Sequence, residues 1–298
     1  VTEDIVALGA SAAEQILDEE DKENIEMVIV GTESGIDQSK ASAVFIHNLL
    51  KIQPFARCIE IKEACYGATA ALNFAKNYIE QNENASVLVI ASDIAKYGID
   101  TPGESTQGAG SIAMLIKKEP KIAVINDESI CQTRDIMDFW RPNYSDFPIV
   151  DGHFSTKQYL DCLTTTFEEY KKRYNQDLSD FDAFCFHLPF PKLGLKAINS
   201  IFAKVEKEEK NKFLEKFHAS IVYGKRVGNI YTGSLYLSLL SLLENYGNLK
   251  AGDKIGMYSY GSGAVCEFFN LTLVDGFKSH LRNDRLNDFD NRKQLSIK

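Results

Sequence analysis

Length, composition and charge set the first limits on this protein. The chain has 298 residues, of which 44% are hydrophobic and 25% are charged, the proportions of a soluble globular protein with one large domain or two ordinary ones. A net charge of −9 disfavours any general affinity for nucleic acid or for anionic membranes. The sequence shows neither an apolar run of membrane length nor a signal peptide, so we predict no membrane and no nucleic-acid partner.

Cysteine usage gives two further expectations. The six cysteines and five histidines form neither a C-x-x-C pair nor the spacing of metal ligands. Such usage is typical of a reduced intracellular compartment. We therefore predict a cytoplasmic protein without a metal site.

Apolar periodicity predicts alternating helices and strands in the first 120 residues. Runs with helical spacing alternate with continuous apolar runs, which are typical of strands buried on both faces. Strands that alternate with helices indicate an α/β fold built of packed layers. The pattern predicts helices over 4–17, 40–50 and 68–80, strands over 27–30, 58–61, 86–92 and 111–116, an acidic loop over 18–24 and a glycine-rich loop over 97–110.

The second part of the chain begins less regularly, because residues 120–175 show a clear pattern only in a predicted helix over 157–174. Two segments of this stretch, 138–142 and 150–155, are predicted to be ordered loops. The tail from Phe277 is polar and is predicted to be peripheral. Between this helix and the tail the pattern predicts helices over 193–203, 204–216 and 234–244, and strands over 183–186 and 254–260. The segment 261–269, which begins with a glycine turn, matches the loop and strand over 108–116.

The order of elements in the second half repeats that of the first. In each half a buried strand ends at a polar residue, and a junction later in the chain is followed by a helix. Two more strands come next, and a glycine-rich turn lies close to the last one. Four such matches in the same order are improbable by chance. We therefore predict two halves, residues 1–119 and 120–298, related by a pseudo-twofold axis.

Polar residues at the strand ends are the candidate site. In α/β layers the carboxyl ends of the strands point into one crevice, so two related halves bring Glu33, Cys65, His187 and Asn229 toward a common cleft. The glycine turn over 261–263 approaches the same place with its N–H groups exposed. The sequence thus predicts a thiol, a carboxylate and an imidazole in one pocket.

This set of groups permits carbon–carbon bond formation through a thioester. Cys65 lies where a strand meets a helix, and the helix start lowers a thiol pKa and favours the thiolate. A thioester on Cys65 acidifies the adjacent C–H, which a partly desolvated Glu33 can deprotonate. His187 can protonate or polarise the carbonyl oxygen that the resulting enolate attacks. N–H groups at Cys65 and in the 261–263 turn can stabilise oxyanions.

Each residue also has a purely structural explanation. Cys65 can be a buried core cysteine, Glu33 a carboxylate at a helix start, and His187 a core histidine with satisfied hydrogen bonds. Asn229 can cap a helix, and the glycines at 261 and 263 can serve a tight turn. The functional interpretation depends on the joint placement of these residues.

Six motifs stand out along the chain: GTES (31–34), EACYGAT (63–69), GESTQGAG (103–110), FHLPFPK (186–192), GNIYTGS (228–234) and YGSG (260–263). Together they strongly resemble the 3-hydroxy-3-methylglutaryl-CoA (HMG-CoA) synthases of the bacterial mevalonate pathway. The resemblance covers essentially the whole chain, and it implies the thiolase-like fold, in which two halves form αβαβα layers. It also implies that the chain starts after a first strand and hairpin of that family and stops before a C-terminal segment.

The resemblance implies a role for each candidate. Cys65 accepts the acetyl group of acetyl-CoA, Glu33 deprotonates the acetyl methyl, and His187 binds and polarises the 3-keto oxygen of acetoacetyl-CoA. Bond formation and hydrolysis from Cys65 then release HMG-CoA. The resemblance implies no cofactor beyond these substrates, and it implies a homodimer.

Further site residues follow from the same resemblance. Lys192 and Lys196 match lysines at the CoA entrance; they lie four residues apart at a predicted helix start, so both can face one phosphate-bearing group. Exposed surface lysines are the structural alternative. The residues that match positions near the acyl group or the product are Asn229, Ser262, Thr106, Ser155 and Tyr97.

Three rival functions remain open at this stage. A ketoacyl synthase of the same fold decarboxylates a malonyl group and needs no proton-abstracting carboxylate, so Glu33 discriminates against it. A thioester hydrolase would release acetate without forming a carbon–carbon bond. An inactive structural homologue, or a fragment that only pairs with a partner subunit, would not acquire an acetyl group on Cys65.

Overall fold

Helices and strands alternate along most of the chain. The computed structural model describes residues 3–203 and 205–295. The helices are α1 (Ile5–Glu14), α2 (Glu19–Asn24), α3 (Ser42–Leu50), α4 (Gly67–Gln81), α5 (Gly152–Tyr174), α6 (Pro191–Ile201), α7 (Lys207–Ser220), α8 (Gly224–Val227), α9 (Ser234–Asn245) and α10 (Arg285–Asp290). The strands are β1 (Ile25–Gly31), β2 (Arg57–Ile61), β3 (Ser86–Ile94), β4 (Ala109–Ile116), β5 (Ala123–Thr133), β6 (Phe139–Trp140), β7 (Ile149–Val150), β8 (Ala183–Phe186), β9 (Lys254–Gly261) and β10 (Val265–Leu273). The α/β class predicted from the sequence is confirmed.

The first sheet has the strand order β2-β1-β3-β4. Strand β1 runs parallel to β2 and β3, whereas β4 runs antiparallel to β3. Residues 86–93 of β3 are all buried, because helices cover both faces of the strand. Leu88 and Ile90 pack on the side of α1 and α3. Val87 and Val89 pack on the side of α4, which explains the continuous apolar run in the sequence.

The second sheet has the strand order β5-β10-β9-β8. Strand β8 runs parallel to β9, whereas β10 runs antiparallel to β9 and to β5. Each sheet therefore contains a parallel pair followed by an antiparallel strand, β1-β3-β4 in the first and β8-β9-β10 in the second. The carboxyl ends of the parallel strands carry the candidate residues Glu33 and His187.

Helices α4 and α9 share one core with the inner faces of both sheets. Ala68 and Ala71 of α4 and Leu235 and Leu242 of α9 belong to the same buried cluster as residues of β3 and β9. The small side chains of α4 allow the helix to approach the strands closely. Helices α5, α6 and α7 pack against the opposite face of the second sheet, around a separate aromatic cluster.

Several predictions of local structure need correction. The acidic segment 18–24 is not a loop: Asp18 accepts a hydrogen bond from the Asp21 N–H and caps the short helix α2. Strand β5 was not predicted, because its sequence mixes polar and apolar residues in a strand that is only partly buried. The predicted loop segments contribute the paired strands β6 and β7, and α5 already begins at Gly152, with Asp151 as its cap.

Other boundaries move by a few residues. Strand β9 extends to Gly261, the first residue of the predicted turn, and β10 begins at Val265. The charged helix begins at Lys207, and Lys204 lies outside the described residues. The tail contains the short helix α10. In the part of the chain that the structure describes, no helix is long and apolar enough to cross a membrane.

Candidate active site

The site is organised by a direct contact between Cys65 and Glu33. Strand β1 ends at Gly31, and its parallel neighbour β2 ends at Ile61, so the segments that follow these strands leave the sheet side by side. The thiol Sγ of Cys65 donates a hydrogen bond to Oε1 of Glu33 over 3.2 Å. The structure thus brings together the thiol and the carboxylate that the sequence placed in one cleft.

Burial dominates the electrostatics of this pair. The Glu33 side chain is 7% exposed. Burial, reinforced by the nearby Asp93 carboxylate, raises the pKa of Glu33 to about 8. Burial and the Glu33 carboxylate raise the pKa of the Cys65 thiol well above its ordinary value.

The predicted lowering of the Cys65 pKa is therefore wrong. Helix α4 begins at Gly67, two residues beyond the thiol, and its dipole is outweighed by desolvation and by the carboxylate. The thiol keeps its proton and donates it to the carboxylate in a hydrogen bond. A thiol in this state is not ionised in advance, and a neighbouring base is the group that can activate it.

Asp93, at the end of β3, fixes the turn that carries Glu33. One oxygen of its buried carboxylate, Oδ1, accepts hydrogen bonds from the Thr32 hydroxyl (2.9 Å), the Glu33 N–H (2.9 Å) and the Ser34 hydroxyl (2.8 Å). The other oxygen accepts from the N–H and the hydroxyl of Thr232. Asp93 therefore holds Glu33 in place and ties its turn to the second half of the chain.

Arg141 reaches Glu33 from the segment between β6 and β7. Its Nη1 donates to the main-chain oxygen of Glu33 over 3.1 Å, and its Nη2 lies 3.8 Å from the carboxylate oxygen Oε2. The same Nη2 donates to the Tyr231 hydroxyl over 3.3 Å. A guanidinium thus links the Glu33 turn to the turn over Tyr231–Gly233.

Asn229 and Tyr97 lie beside this cluster. The amide Nδ2 of Asn229 donates to the Tyr97 hydroxyl over 2.8 Å, and the Asn229 N–H donates to the Thr106 carbonyl over 2.8 Å. Its Oδ1 accepts from the Tyr231 N–H and the Ser234 hydroxyl, each over 2.9 Å. The side-chain oxygen of Asn229 therefore stabilises the turn before α9, close to the capping role that was the structural alternative. Its amide nitrogen binds the Tyr97 hydroxyl, and its main-chain N–H binds the loop that contains Thr106.

His187 follows β8 and is 2% exposed. Its N–H donates to the Tyr258 carbonyl over 2.8 Å, which places it level with Ser259 on β9. The Ser259 hydroxyl accepts a hydrogen bond from Thr69, in the first turn of the helix that follows Cys65. The main chain of His187 therefore lies beside β9, the strand that contacts the helix after Cys65, although no hydrogen bond among the described residues joins the His187 ring to Cys65 or Glu33.

Burial also sets the charge of His187. It lowers the pKa of the imidazole to about 3, so the ring is neutral at physiological pH. Its Nδ1 is buried and has no hydrogen-bond partner among the described residues. A neutral ring can polarise a substrate oxygen through a hydrogen bond, whereas the predicted alternative of proton donation by an imidazolium is disfavoured.

The turn over 261–263 is held by Asp138. This buried carboxylate accepts from the Gly263 N–H (2.9 Å), the Tyr260 hydroxyl (2.8 Å) and the Ser155 hydroxyl (3.0 Å). The prediction that the turn exposes its N–H groups is therefore wrong at Gly263, whose donor is already used. Ser262 is half-buried within the turn.

The two lysines assigned to the CoA entrance are on α6. Pro191 is the first residue of this helix, and Lys192 and Lys196 are both exposed on it. Residues four apart lie on the same helix face, and neither lysine forms an ion pair with a described acidic residue. Both remain available to an anionic ligand.

Three residues of the site were missed in the sequence. Asp93 is a polar residue at the end of a buried apolar strand, the same signal that pointed to Glu33, and could have been found in that way. Asp138 and Arg141 lie in an irregular segment where no periodicity indicates their orientation. Among the described residues no group of histidine, cysteine and acidic side chains has the arrangement of a metal site.

A thiol in contact with a carboxylate, at the ends of parallel strands in layered α/β sheets, defines an enzyme that transfers acyl groups through a cysteine thioester. Comparison with known proteins agrees. The family model "Hydroxymethylglutaryl-coenzyme A synthase N terminal" matches residues 1–121, and the model "Hydroxymethylglutaryl-coenzyme A synthase C terminal" matches 124–212 and 195–297. The chain belongs to the hydroxymethylglutaryl-CoA synthase family and is an acyl-transferring condensing enzyme.

Individual relatives support this assignment. The chain is 51% identical to the hydroxymethylglutaryl-CoA synthase of Enterococcus faecalis, over 100% of its own length and 78% of that protein. It is 33% identical to the polyketide biosynthesis 3-hydroxy-3-methylglutaryl-ACP synthase PksG of Bacillus subtilis, over 99% and 75%. A crystal structure of an HMG-CoA synthase complexed with CoA superposes with a TM-score of 0.97 at 62% identity, covering 99% of this chain and 76% of that one.

Proposed function

We propose that this chain condenses acetyl-CoA with acetoacetyl-CoA to give HMG-CoA and CoA, the reaction that supplies the mevalonate pathway. The observation that carries the proposal is the 3.2 Å contact between the Cys65 thiol and the Glu33 carboxylate. A hydrolase needs no carboxylate poised beside its thioester, and a decarboxylating synthase needs no base. The contact therefore favours a reaction in which a thioester is formed and then deprotonated.

The reaction begins with acetyl transfer. Cys65 attacks the carbonyl carbon of acetyl-CoA, its proton passes to the Glu33 carboxylate, and CoA leaves as a thiolate that takes this proton from Glu33. Glu33, again a carboxylate, then removes a proton from the methyl group of acetyl-Cys65. The enolate attacks C3 of acetoacetyl-CoA, and the alkoxide that forms takes the proton held by Glu33 to become a hydroxyl group. Water finally cleaves the bond to Cys65, which leaves HMG-CoA with a free carboxylate, the Cys65 thiol and one proton released to solvent.

His187 assists the bond-forming step as a neutral group. Its free ring nitrogen can hydrogen-bond the 3-keto oxygen, whose negative charge grows as the carbon–carbon bond forms. Burial keeps the ring uncharged, so the hydrogen bond and not a full positive charge stabilises the oxyanion.

The remaining candidates position the substrates. We assign the acyl and product region to Asn229, Tyr97, Thr106, Ser155 and Ser262. Hydrogen bonds join Asn229 to both Tyr97 and Thr106, and Asp138 joins Ser155 to the turn that contains Ser262. We assign the CoA phosphates to Lys192 and Lys196 at the N-terminus of α6, where exposed cations and the helix dipole both favour an anion.

We further propose that residues 1–119 and 120–298 form duplicated thiolase-like halves with αβαβα layers. The support is the shared strand pattern, β1-β3-β4 and β8-β9-β10, and the pairing of α4 with α9 between the sheets. Beyond its two CoA substrates the reaction as written requires no cofactor. Free cysteines throughout the described residues support a cytoplasmic location.

A homodimer is proposed through the β2 edge of the first sheet. Strand β2 has a partner on one side only, and Ile59 on this strand is 41% exposed. Phe74 on the adjoining helix α4 is 60% exposed. An apolar sheet edge of this kind invites pairing with a second copy.

Replacing Glu33 by alanine tests the proposed roles. The variant should lose condensation by a factor of about a hundred or more, because no base remains for the acetyl methyl. It should still acquire an acetyl group on Cys65 at alkaline pH, since removing the carboxylate also removes two causes of the raised thiol pKa. Product analysis measures HMG-CoA and free CoA, and mass spectrometry measures acetyl-Cys65.

Each rival gives a different result in this experiment. Normal condensation by Glu33→Ala would contradict the assigned base, and acetate without HMG-CoA from the wild type would indicate a hydrolase. Absence of acetyl-Cys65 in the wild type would indicate an inactive homologue. Transfer from an acetylated acyl carrier protein but not from acetyl-CoA would place the chain with relatives such as PksG.

A further inference from the structure

We propose that Arg141 is a positioning residue that holds the Glu33 carboxylate beside Cys65 and favours its ionised form during condensation. The inference rests on the proposed function, in which Glu33 is the base. Nothing in the sequence patterns pointed to Arg141, which lies in a segment predicted to be an ordered loop.

The geometry of the guanidinium fixes Glu33 at two points. Nη1 donates to the Glu33 main-chain oxygen over 3.1 Å, and Nη2 lies 3.8 Å from carboxylate oxygen Oε2. The opposite oxygen, Oε1, accepts the hydrogen bond from Cys65. The carboxylate is therefore held between the thiol and the guanidinium, with one oxygen directed to each.

Arg141 is itself anchored by Tyr231. Nη2 donates to the Tyr231 hydroxyl over 3.3 Å, and the guanidinium carbon lies 5.9 Å from the centre of the same ring. Tyr231 and Phe139 pack edge to face, at 6.3 Å between ring centres, near the base of the segment that carries Arg141. The cation is thus held in a fixed position relative to the base, as a positioning role requires.

The charge balance at Glu33 makes this cation important. Arg141 is the basic residue of the described chain that lies within ion-pair distance of the Glu33 carboxylate. A buried carboxylate without a cation nearby retains its proton. The titratable groups that face Glu33 from the other packed elements are acidic or neutral: Asp93 on β3, Glu63 and Cys65 after β2, Tyr97 after β3, and Tyr231 before α9.

One donor of Arg141 remains unused. Its Nε is buried and has no hydrogen-bond partner among the described residues. A buried donor without an acceptor is unfavourable for folding, and such groups are concentrated where a reaction requires them. An unused buried donor is expected of an arginine whose main role is in the site and not in stabilising the fold.

The experiment isolates the deprotonation step. Wild type, Arg141→Met and Arg141→Lys are first acetylated on Cys65, and the acetyl-enzymes are then mixed with acetoacetyl-CoA over a range of pH. Starting from the acetyl-enzyme removes any effect on the first step. Arg173→Met, which removes one positive charge at the exposed end of α5, is the matched control.

For Arg141→Met we expect single-turnover condensation at neutral pH to fall about tenfold or more, with the acidic limb of the pH profile moved up by about one pH unit. Exchange of the acetyl methyl protons with deuterium should slow in parallel. Arg141→Lys keeps the charge without the two-point geometry, so the limb should return toward the wild-type position while the rate recovers only in part. Arg173→Met should behave as the wild type.

Two results would overturn the inference. In the first, the acidic limb of the Arg141→Met pH profile stays at the wild-type position. In the second, the Met and Lys variants lose rate equally and the limb does not move, which indicates a merely structural role. If Arg141→Met does not fold, the comparison of Arg141→Lys and Arg141→Gln decides in the same way. Failure of the wild type itself to make HMG-CoA would instead contradict the proposed function.

Discussion

At the residue scale, burial favours the protonated forms of both Cys65 and Glu33. A pKa of about 8 leaves Glu33 largely protonated at neutral pH. A base poised in this range removes protons more effectively than an ordinary carboxylate, whose pKa lies near 4.5. The pKa of such a buried carboxylate depends on the charges near it. Asp93, which raises the pKa of Glu33, and Arg141, which lowers it, therefore both help to set its value.

His187 gives a stability prediction with a definite sign. Its pKa is about 3 in the folded protein and about 6.5 in the unfolded chain, so the unfolded state binds the proton first as pH falls. The free energy of unfolding should therefore decrease between pH 6.5 and 3 by up to a few kcal/mol, since each tenfold change in proton affinity is worth about 1.4 kcal/mol. Urea unfolding of wild type and His187→Asn at several pH values measures the difference.

The comparison of variants is needed because Glu33 acts in the opposite direction. Its pKa of about 8 lies above the unfolded value, so its contribution to stability is lost as pH rises from about 4.5 to 8. Subtracting the His187→Asn profile from the wild-type profile removes that term. His153→Asn, at an exposed position, should keep the wild-type slope, and a flat difference profile for His187→Asn would contradict the buried neutral imidazole.

The site could be predicted from sequence only where strand ends mark it. Glu33, Cys65 and His187 follow predicted strands, and that position placed them in one cleft before the resemblance implied a role for each. The charge states could not be predicted, because desolvation depends on what packs above the strand ends. Arg141 and Asp138 come from an aromatic segment whose path across the site is set by tertiary contacts and not by local pattern.

At the element scale, the closest approach in the site region is that of β1 to α4. A Cβ added to Gly31 would lie 2.4 Å from the main-chain nitrogen of Ala68, so strand and helix touch through backbone alone. Gly31→Ala should therefore lower the free energy of unfolding by about 1–3 kcal/mol or more and should reduce condensation, because it separates the turn of Glu33 from that of Cys65. Thermal unfolding and product formation measure the two effects.

Gly247→Ala is the matched control, because a Cβ there meets no atom within 4 Å. It should leave both stability and activity close to the wild type. If the Gly31→Ala variant is as stable and as active as the control, then β1 and α4 can move apart without loss of stability or activity. That result would contradict the requirement for close packing between them.

The long, strongly periodic elements of the fold were predictable and the short or mixed ones were not. Strand β3 is buried by helices on both faces, and helices α4 and α9 are buried between the two sheets, so all three elements show a clear apolar pattern. Strand β5 lies at a sheet edge and carries Asn126, Asp127 and Glu128, so its sequence resembles a loop. Helix α2 has six residues, too few to show a period.

At the scale of the whole molecule, contacts between residues far apart in the sequence hold the candidate site together. The Thr232 N–H donates to the Asp93 carboxylate, and the Thr232 hydroxyl lies within hydrogen-bond distance of both Asp93 and the Gly31 carbonyl. Tyr66, which follows Cys65, donates to the buried carboxylate of Glu267 on β10 over 2.6 Å. The positions of Cys65 and Glu33 therefore depend on residues far along the chain, so disturbing these contacts should impair catalysis as well as stability.

The proposed dimer contact at the β2 edge can be tested by substituting single edge-strand residues. Ile59 on β2 and Val124 on β5 are edge-strand residues of the two sheets with similar exposure, 41% and 44%. A charged side chain at a buried interface is unfavourable, so Ile59→Lys should convert a dimer into a monomer in sedimentation experiments, whereas Val124→Lys should leave the dimer intact. Dissociation by Val124→Lys alone would place the contact at the other sheet, and a monomeric wild type would end the proposal. Condensation by the monomeric Ile59→Lys variant would further show that one chain carries the complete site.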